Sequence, residues 1–417
     1  MSDKTELYAT ILGVGAPWYV ADVAVRPKQE DVTVMIEAHS NVPYACPRCG
    51  KSCPGYDTRR RSWRHLDTCQ YRTIIIADVP RVQCPEHGVL QIAVAWAAPE
   101  SGFTVLMESL IIDWLLEANI SAVARRMHLT WDEIDGVKQR AVKRGLERRK
   151  LKTIHHVGVD ETSYQKRHEY VTVVNDLDSG DVVYVADDRT HESLDGFWGI
   201  LSPEQLRDIK AVAMDMSASY VRSTREHLED ADSKICFDRF HVSKLLNDAV
   251  NTVRKQENSE LAAEGSYVPA RTKYVWTQNP ENMPRDRRLT FDLLRDCSLK
   301  AGRAWAIKDA ARWLWTYEMR GWAVKAWKRW VGWAMRSRLE PMKRVARTIR
   351  DRLWGIVNAI VLRVTNAGSE SQNAKIQWIK KQACGFRSRE RFRNAIYFHL
   401  GGLDLYPRAV LATHTTS

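Results

Sequence analysis

The sequence predicts a mixed α/β fold whose core is interrupted by one long helical segment. Short β-like runs alternate with helical segments between residues 153 and 250, and the stretch 251–362 is helical, basic and rich in Trp. The first 100 residues carry most of the eight cysteines between short β-like runs. With 417 residues, 44% of them hydrophobic, the chain is long enough for two or three domains with a sizeable core.

The charge balance favours a polyanionic partner. The net charge is +12, from 63 Lys and Arg against 51 Asp and Glu. Nucleic acid is the first candidate for such a partner, and a generally basic solvated surface is the alternative. No apolar run approaches the roughly 20 residues of a membrane span, and the first residues lack a signal pattern. We therefore expect a cytoplasmic chain with no membrane contact and with reduced thiols.

Two ligand-type pairs lie in the region 1–100, which we interpret as a zinc-binding domain. The pairs are Cys46-Pro-Arg-Cys49 and Cys84-Pro-Glu-His87, and each is followed by a Gly. Such a tight turn lets both side chains reach one Zn²⁺, and the Gly permits a positive φ. The second pair follows a strand-like run at 71–79, as in a zinc ribbon. The alternative is free cysteines in turns, and Cys53 and Cys69 are interpreted as bystanders.

Basic residues surround Trp63 between the two pairs. Cationic side chains interleaved with an aromatic suit contact with DNA phosphates, although a solvated loop is the alternative. The candidate DNA-binding residues here are Arg59, Arg60, Arg61 and Arg64.

Residues 101–152 predict a helix-turn-helix followed by a basic linker. Leu106–Leu116 is apolar at helical spacing, Ile120–Met127 follows, and Thr130 with Glu133 predicts a capping box at the start of a third helix. That third helix, from Trp131 onward, would enter the major groove, unless the segment is an ordinary three-helix bundle. Candidate phosphate contacts along it are Lys138, Arg140, Lys143, Arg144, Arg148 and Arg149.

Residues 153–250 predict five strands and two helices. The strands are 154–159, 170–175, 182–186, 210–214 and 234–237, with helices near 191–200 and 220–228. A hairpin turn at 178–181 joins the second strand to the third. Three antiparallel strands, a helix, a strand, a helix and a strand follow the ribonuclease-H-like order, in which the first and fourth strands are neighbours.

Asp160 and Asp215 follow these two neighbouring strands, so we expect them side by side. Two carboxylates there can share divalent ions, and a pair of metals can drive phosphoryl transfer if a later helix supplies a third carboxylate. Alternatively, each Asp is a turn or cap residue. Asp238 and His241 follow the fifth strand close to this position. They act either beside the metal site or as general acid or base, or they are purely structural.

The segment 251–362 predicts an all-helical insertion. Its tryptophans recur at spacings of three to five, which favours a helical core; the alternative is that a few exposed rings stack on unpaired bases. The tryptophans are Trp276, Trp305, Trp313, Trp315, Trp322, Trp327, Trp330, Trp333 and Trp354.

Several stretches resemble a known family over nearly the full chain. They are Gly158–Ser163, Met214–Ser217, Phe237–His241, Thr365–Ile376, Cys384–Arg387 and Gly401–Asp404. They resemble the ISL3 family of DDE transposases. The resemblance implies that Asp160, Asp215 and Glu370 are the catalytic triad, with Mg²⁺ or Mn²⁺ as cofactor. It also implies an N-terminal zinc domain and a helix-turn-helix for transposon ends.

The resemblance places the third acid in the C-terminal part of the core, residues 363–417. The Gly that follows this acid in the family is Ser371 here, whereas the Asn is kept as Asn373. Glu370 and Asn373 lie three residues apart on a predicted helix, so they share one side of it. Asn373 is therefore a candidate to orient a water, a metal or a phosphate. Candidate DNA contacts on the helix are Lys375, Lys380 and Lys381.

These observations predict a bacterial, nucleoid-associated enzyme that binds terminal inverted repeats, cuts them and transfers the strand to target DNA. Its partner is double-stranded DNA, and paired ends imply a homodimer or a higher oligomer. One alternative is a sequence-specific DNA-binding regulator with an inactive nuclease core. Another is a structure-specific nuclease such as a junction resolvase.

Overall fold

The computed structural model describes residues 3–39, 44–165, 169–265, 272–297 and 299–408. The side chains of Asp296, Ala367 and Glu370 also lie outside the described part. The chain divides into two compact units. One comprises the residues up to Arg149 together with the segment from Leu403, and the other is Lys150–Gly402.

The first unit begins with a small β-sheet. Its elements are α1 (Asp3–Leu12), β1 (Trp18–Arg26), β2 (Asp31–Ala38), β3 (Tyr44–Ala45), β4 (Ser52–Cys53), β5 (Gly55–Arg64), β6 (Arg72–Cys84) and β7 (Gly88–Gln91). The sheet order is β1-β2-β6-β5, with β7 also paired to β6, while β3 and β4 form a separate hairpin. Alternate side chains of β2 and β6 are buried, as expected of strands with one face on a core. The predicted strand at 71–79 is confirmed as part of the longer β6.

Three helices follow this sheet: α2 (Val105–Glu117), α3 (Ile120–Met127) and α4 (Trp131–Arg148). The predicted start of the third is confirmed, because the Thr130 side chain accepts a hydrogen bond from the Glu133 backbone N–H at 3.3 Å. The Glu133 carboxylate in turn accepts one from the Thr130 N–H at 2.8 Å. This reciprocal pair satisfies two backbone donors at the helix start.

The second unit opens with an α/β sheet. Its elements are β8 (His156–Gln165), β9 (Glu169–Asp176), β10 (Val182–Asp187), α5 (His191–Trp198), α6 (Pro203–Asp208), β11 (Ala211–Met214), α7 (Ala218–His227), α8 (Ala231–Lys234) and β12 (Ile235–Phe237). The sheet order is β10-β9-β8-β11-β12. The first three strands are antiparallel, whereas β11 is parallel to both β8 and β12. The predicted adjacency of the first and fourth core strands is confirmed.

Helices make up the rest of this unit. They are α9 (Arg239–Ala263), α10 (Lys273–Thr277), α11 (Arg285–Asp296), α12 (Lys300–Trp313), α13 (Arg320–Arg336), α14 (Glu340–Asp351), α15 (Leu353–Leu362), α16 (Ala367–Gln382) and α17 (Arg389–Leu400). The helical insertion shares one continuous apolar core with the sheet, which includes Phe237 of β12 and Trp327 of α13. Trp276 and Trp330 are buried as well, whereas Trp313, Trp322 and Trp333 are exposed. Core packing is therefore confirmed for part of the tryptophan set.

An asparagine joins the insertion to the sheet. Asn358 of α15 is 1% exposed, and its Nδ2 donates to the carbonyls of Asp232 and Ile235, both at 2.8 Å. Its Oδ1 accepts from Arg320 of α13 at 2.8 Å. One buried amide therefore connects α13, α15 and the start of β12, and its hydrogen-bonding capacity is well used.

Candidate active site and zinc site

Two aspartates lie at one edge of the α/β sheet. Parallel pairing sets Val212 opposite Val157 and Ala213 opposite Gly158, so Asp215, which follows β11, comes level with Asp160 of β8. The predicted end of the first core strand at residue 159 is wrong, because β8 continues to Gln165 and Asp160 lies within it. The Asp160 Oδ1 atom accepts a hydrogen bond from the Glu161 N–H at 2.8 Å. The Asp215 Oδ1 atom accepts one from the Ser217 N–H at 2.9 Å, so a backbone contact orients each carboxylate.

Asp238 brings a further carboxylate to this edge, directly after β12. Its Oδ1 atom accepts from the Phe240 N–H at 3.2 Å, so it caps the start of α9. The residue is 4% exposed, and its Oδ2 atom is buried without a hydrogen-bond partner among the described residues. An unmatched buried carboxylate oxygen is costly, and a cation would satisfy it. Asp238 therefore serves the cap and also faces the acidic cluster.

Helix α16 crosses β8 and is held to it by side chains at helical spacing. Asn373 Nδ2 donates to Asp160 Oδ2 at 2.7 Å, and Gln377 Nε2 donates to Thr162 Oγ1 at 2.8 Å. The spacing of four places both donors on one face of the helix. The hydrogen bond from Asn373 fixes the carboxylate of Asp160 directly.

A glycine permits this close approach of helix and strand. A Cβ atom added to Gly158 would lie 2.5 Å from Ser369 Oγ and 2.6 Å from Asn175 Oδ1. Ser369 Oγ donates to that same Asn175 oxygen at 2.8 Å, which ties the first turn of α16 to β9. Gly158 is thus required by packing, since any larger side chain would push the helix from the sheet.

Glu370 belongs to this first part of α16. Its backbone lies in the helix, three residues before Asn373, while its side chain is outside the described part of the structure. The sequence-based assignment of Glu370 as third acid therefore stays a prediction. The position of its helix is set by Asn373 and Ser369.

Electrostatics at the acidic edge favour a bound cation. Burial and, to a smaller extent, the negative charges of Asp215 and Asp238 raise the pKa of Asp160 to about 7, against the lowering effect of the Glu161 N–H. Burial also raises the pKa of Asp238, opposed by the Phe240 N–H and the charge of His241. Carboxylates packed together repel one another unless positive charge compensates them. The all-oxygen donor set and the unsatisfied Asp238 oxygen fit a hard divalent ion such as Mg²⁺.

A cavity of about 1010 Å³ opens over these acids. Its lining includes Asn373 and the α9 residues His241 and Lys244, which places His241 at the site as predicted. Arg189 also lines it; its guanidinium lies 4.6 Å from the Tyr170 ring centroid and 3.4 Å from Glu161. Sequence reasoning missed Arg189 and Lys244, because no local pattern shows which cations face a distant pair of acids.

A second candidate metal site unites the four residues predicted as zinc ligands. The ligand atoms of Cys46, Cys49, Cys84 and His87 all lie within 4.8 Å of one another. The Cys49 and Cys84 sulfurs are 3.7 Å apart, and Cys84 Sγ lies 3.5 Å from His87 Nδ1. Tetrahedral Zn²⁺ with Zn–S bonds of about 2.3 Å places two sulfurs roughly 3.8 Å apart, so the four residues fit that ion.

Backbone N–H groups lower the pKa of one of these thiols, that of Cys84, which favours metal binding. Burial opposes ionisation of Cys84, but the N–H groups of Glu86 and His87 outweigh it and lower its pKa to about 7. A thiolate is the form that binds Zn²⁺. The glycine after each pair has a positive φ, +72° at Gly50 and +71° at Gly88, as predicted for tight knuckle turns.

Among the described residues, one other group of potential ligands comes equally close: His191, Asp195 and Glu226. These side chains already have partners within the protein. Glu226 accepts from Arg222 at 2.8 Å, and Asp195 accepts from Ser223 at 2.5 Å. The group reads as a network that holds α5 to α7.

Comparison with known proteins identifies the family. A family model described as "Transposase", of the ISL3 type, matches residues 157–396, which is more than half of the chain. The chain belongs to the ISL3 family of transposases. Two further models match upstream. A zinc-finger of transposase IS204/IS1001/IS1096/IS1165 covers residues 43–87, and a helix-turn-helix domain of transposase family ISL3 covers 92–142.

Two curated relatives named as transposases match this chain over most of their length. A transposase for insertion sequence element IS1557 from Mycobacterium tuberculosis is 26% identical, over 92% of this chain and 93% of the relative. A transposase for insertion sequence element IS1001 from Bordetella parapertussis is 26% identical, over 83% and 86%. This transposase is thus a mixed α/β protein in which zinc-ribbon and helix-turn-helix domains precede the DDE domain.

The predicted phosphate contacts of the transposase on α4 need correction. Lys138 is 4% exposed and lies 3.4 Å from Asp135, so it is inaccessible to DNA. Arg140 and Arg144 both bond to Glu108 of α2, which is fully buried. Arg148 donates to the Tyr406 carbonyl at 2.7 Å. These cations offset an internal carboxylate and hold the C-terminal segment.

The remaining predicted DNA contacts also fall into two groups, some bonded within the protein and others exposed. Arg64 bonds to the carbonyls of His65 and Thr73 and to Asp67, so it is used internally. Lys380 donates to the Ser163 carbonyl at 2.9 Å. Exposed residues from the predicted set are Arg59, Arg60, Lys143, Lys375 and Lys381; Arg61 and Arg149 are half-buried. The basic residues at 59–61 lie on strand β5, which excludes the loop alternative.

The helices in the described part of the chain include none with both the length and the apolar character that a membrane crossing requires.

Proposed function

We propose that this transposase cuts the ends of its insertion sequence and joins them to target DNA, with Asp160, Asp215 and Glu370 as the catalytic acids. The observation that carries the proposal is the hydrogen bond from Asn373 to Asp160. It ties the helix that contains Glu370 to the sheet edge where Asp160 and Asp215 emerge. Three acids from three separate segments would then face one cavity.

We also propose that the core is ribonuclease-H-like. The support is the strand order, in which three antiparallel strands precede two parallel ones and the first strand neighbours the fourth. Asp160 lies within the first strand, Asp215 follows the fourth, and the third acid would come from a helix beyond the insertion. The proposed domains are 1–100, 101–152, 153–250, 251–362 and 363–417, with the segment from Leu403 assigned to the N-terminal unit.

The proposed cofactor of the acidic site is Mg²⁺ or Mn²⁺, held by the three acids and adjoined by Asp238. When bound there, the ion would polarise the phosphodiester and lower the pKa of a nearby water. Asn373 donates to one oxygen of Asp160, which would hold the carboxylate in one orientation toward the ion. Arg189 and Lys244 line the same cavity and would hold the DNA phosphates by charge.

The proposed reaction has two displacements at phosphorus. In the first, a water oxygen attacks, the P–O3′ bond at the transposon end breaks, and the departing 3′ oxygen takes a proton. In the second, that 3′-hydroxyl attacks a target phosphodiester; a new P–O bond forms, and a target 3′-hydroxyl leaves. Neither step requires a covalent bond between protein and DNA, and no redox change occurs.

Upstream, we propose that Zn²⁺ at Cys46, Cys49, Cys84 and His87 folds a module that reads the terminal inverted repeats with the helix-turn-helix. The exposed side chains of Arg59, Arg60 and Lys143 would contact the phosphates of this DNA. Pairing of two ends implies a homodimer or a higher oligomer.

The test is cleavage of the inverted repeats that flank the gene, by purified protein with Mg²⁺. Each of Asp160→Asn, Asp215→Asn and Glu370→Gln is expected to lower cleavage at least 1000-fold and to leave end binding intact, because each substitution keeps the shape and removes the charge. The matched control is Asp208→Asn, an exposed aspartate in the same unit that does not line the cavity over the acids. Normal cleavage by any of the three variants would remove that residue from the triad.

Two other outcomes would favour the alternative functions. Specific binding of the repeats without cleavage under any divalent ion would indicate a DNA-binding regulator with an inactive core. Cleavage of branched DNA without preference for the repeats would indicate a structure-specific nuclease.

A further inference from the structure

Helix α9 connects the cavity over the acids with a second one. Phe240, His241 and Lys244 of this helix line the catalytic cavity, whereas Asn247 and Asn251 line a neighbouring cavity of about 420 Å³. Asp248 lines both. At 1.5 Å per residue, Phe240 to Asn251 spans about 16 Å, which is a distance of two or three nucleotides of an extended strand.

The lining of the second cavity includes an exposed tyrosine. Tyr274 of α10 is 60% exposed, although its neighbours Val275 and Trp276 are buried and anchor the helix. The Lys273 ammonium lies 5.5 Å from its ring centroid, and the Arg287 guanidinium lies 5.8 Å from it. An aromatic ring with cations beside it is the combination that binds an unpaired base together with its phosphate.

Polar groups on the opposite wall suit the edges of a base. Asn247 and Asn251 line this cavity; the Asn251 Oδ1 atom already accepts from Arg254, whereas the buried Asn247 Oδ1 atom makes no hydrogen bond with the described residues. Rotation of that amide would let a base N–H satisfy it. The charge of Asp248 repels phosphate and attracts the amino group of a base. A bound nucleotide would therefore turn its phosphate toward Arg287 and its base toward α9.

We propose that this second cavity, next to the catalytic cavity along α9, binds a single unpaired nucleotide of the DNA strand. The proposal rests on the proposed function, since the strand would be the one opened at the cut end. It adds a DNA-binding site formed by Tyr274, Lys273, Arg287 and the amides of α9. The cavity lies entirely within the second unit.

The test measures binding of a fluorescent 12-nucleotide thymidine strand and of a blunt duplex end to the full-length protein. Stacking on one aromatic is worth about 1–3 kcal/mol, so Tyr274→Ala should weaken single-strand binding roughly 5- to 150-fold. Tyr274→Phe keeps the ring and should bind almost normally. Arg287→Ala should weaken binding and reduce its salt dependence.

The matched control is Tyr317→Ala, which removes an exposed tyrosine of the same insertion outside both cavities. It should bind like the unaltered protein. Equal single-strand affinity of Tyr274→Ala and Tyr317→Ala would overturn the proposal. So would displacement of the oligonucleotide by millimolar thymidine monophosphate as effectively as by unlabelled strand, because the site would then serve a free nucleotide.

Cleavage of the transposon ends is measured in parallel on the same proteins. Failure of the unaltered protein to cut in any divalent ion would contradict the proposed function, whatever the binding results. Normal cutting with no effect of Tyr274→Ala on strand affinity would contradict only the nucleotide site. The two failures are thus distinguishable.

Discussion

Asn373 donates a hydrogen bond of 2.7 Å to the Asp160 carboxylate, although 213 residues separate the two along the chain. The contact connects the helix after the insertion to the first strand of the sheet. Asp160 is 9% exposed, and burial together with neighbouring carboxylates raises its pKa to about 7. The carboxylate is therefore buried beside other negative charges.

Removal of this hydrogen bond should weaken metal binding. Partners of metal-ligating side chains typically contribute 10- to 100-fold in affinity or activity, so we expect Asn373→Ala to lower cleavage by that factor. The Mg²⁺ concentration for half-maximal cleavage should rise, and high Mn²⁺ should restore part of the rate. Gln377→Ala is the control, since it removes the next bond to β8 without touching a carboxylate. An unchanged metal requirement in Asn373→Ala would contradict the positioning role.

Gly158 should tolerate no larger residue. In Gly158→Ala the new methyl group would overlap Ser369 and Asn175, which displaces the first turn of α16 and costs about 1–3 kcal/mol of unfolding free energy. Cleavage should fall with it, and Ser369→Ala in the same chain should recover part of the stability. Gly199→Ala is the control, because its nearest neighbour would be at an ordinary 3.6 Å. Urea unfolding of the four proteins checks the order.

The buried Glu108 should be essential to the N-terminal unit. In Glu108→Ala, Arg140 and Arg144 would keep their charge without their shared partner, and breaking a buried ion pair on one side costs about 3–5 kcal/mol. Guanidinium unfolding should show a loss of this size. Arg26→Ala, which breaks an exposed pair with Asp31, should cost under about 1 kcal/mol. Comparable losses in the two variants would refute the claim.

Zinc binding should require the four predicted ligands, including Cys84, but not the nearby buried Cys53. Cys84→Ala is expected to lose the ion and end binding, measured by elemental analysis and by binding to the terminal repeat. Cys53→Ala should retain one ion per chain, because Cys53 lies outside the group of four close ligands and donates to the Lys51 carbonyl. Zinc affinity should fall as the pH is lowered, because protons compete with the ion for the thiolates.

Lys308 should make stability rise with pH in the alkaline range. Burial lowers its pKa to about 8, and its ammonium donates to the carbonyls of Trp276 and Thr277. Between this pKa and the ordinary 10.5 the unfolded chain binds the proton and the folded chain does not, so the unfolding free energy increases with pH.

The expected gain from Lys308 is at most about 3 kcal/mol between pH 8 and 10.5, reduced by residual solvent contact. Lys308→Met cannot titrate, so the difference in unfolding free energy between the two proteins isolates this group. A constant difference from pH 7 to 10 would disprove the assignment.

Local signals account for what the sequence predicted well. The capping box of Thr130 and Glu133, the two metal knuckles and the five core strands each depend on residues close together in the chain. The strand order then placed Asp160 beside Asp215, since few topologies connect such elements. Glu370 required the family resemblance, because the insertion hides its distance from the other acids.

Long-range pairings account for what the sequence did not predict. Nothing near Arg140 or Arg144 indicates Glu108, which lies 32 and 36 residues away. The basic run on α4 therefore resembles a DNA-facing surface in sequence, although much of it is internal in the structure. The continuous core between sheet and insertion was also unexpected, since periodicity shows which face of a helix is apolar but not what it covers.

The segment from Leu403 to Arg408 affects the order in which parts of the protein can complete their folding during synthesis. Arg144 donates to the Leu405 carbonyl at 2.9 Å, and Tyr406 donates to Asp113 of α2 at 2.7 Å, so residues synthesised late complete a unit that begins with the first helix. A ribosome must pass residue 406 before the helix-turn-helix acquires these contacts. The first unit therefore acquires its final contacts only after the whole of the second unit, Lys150–Gly402, has been made.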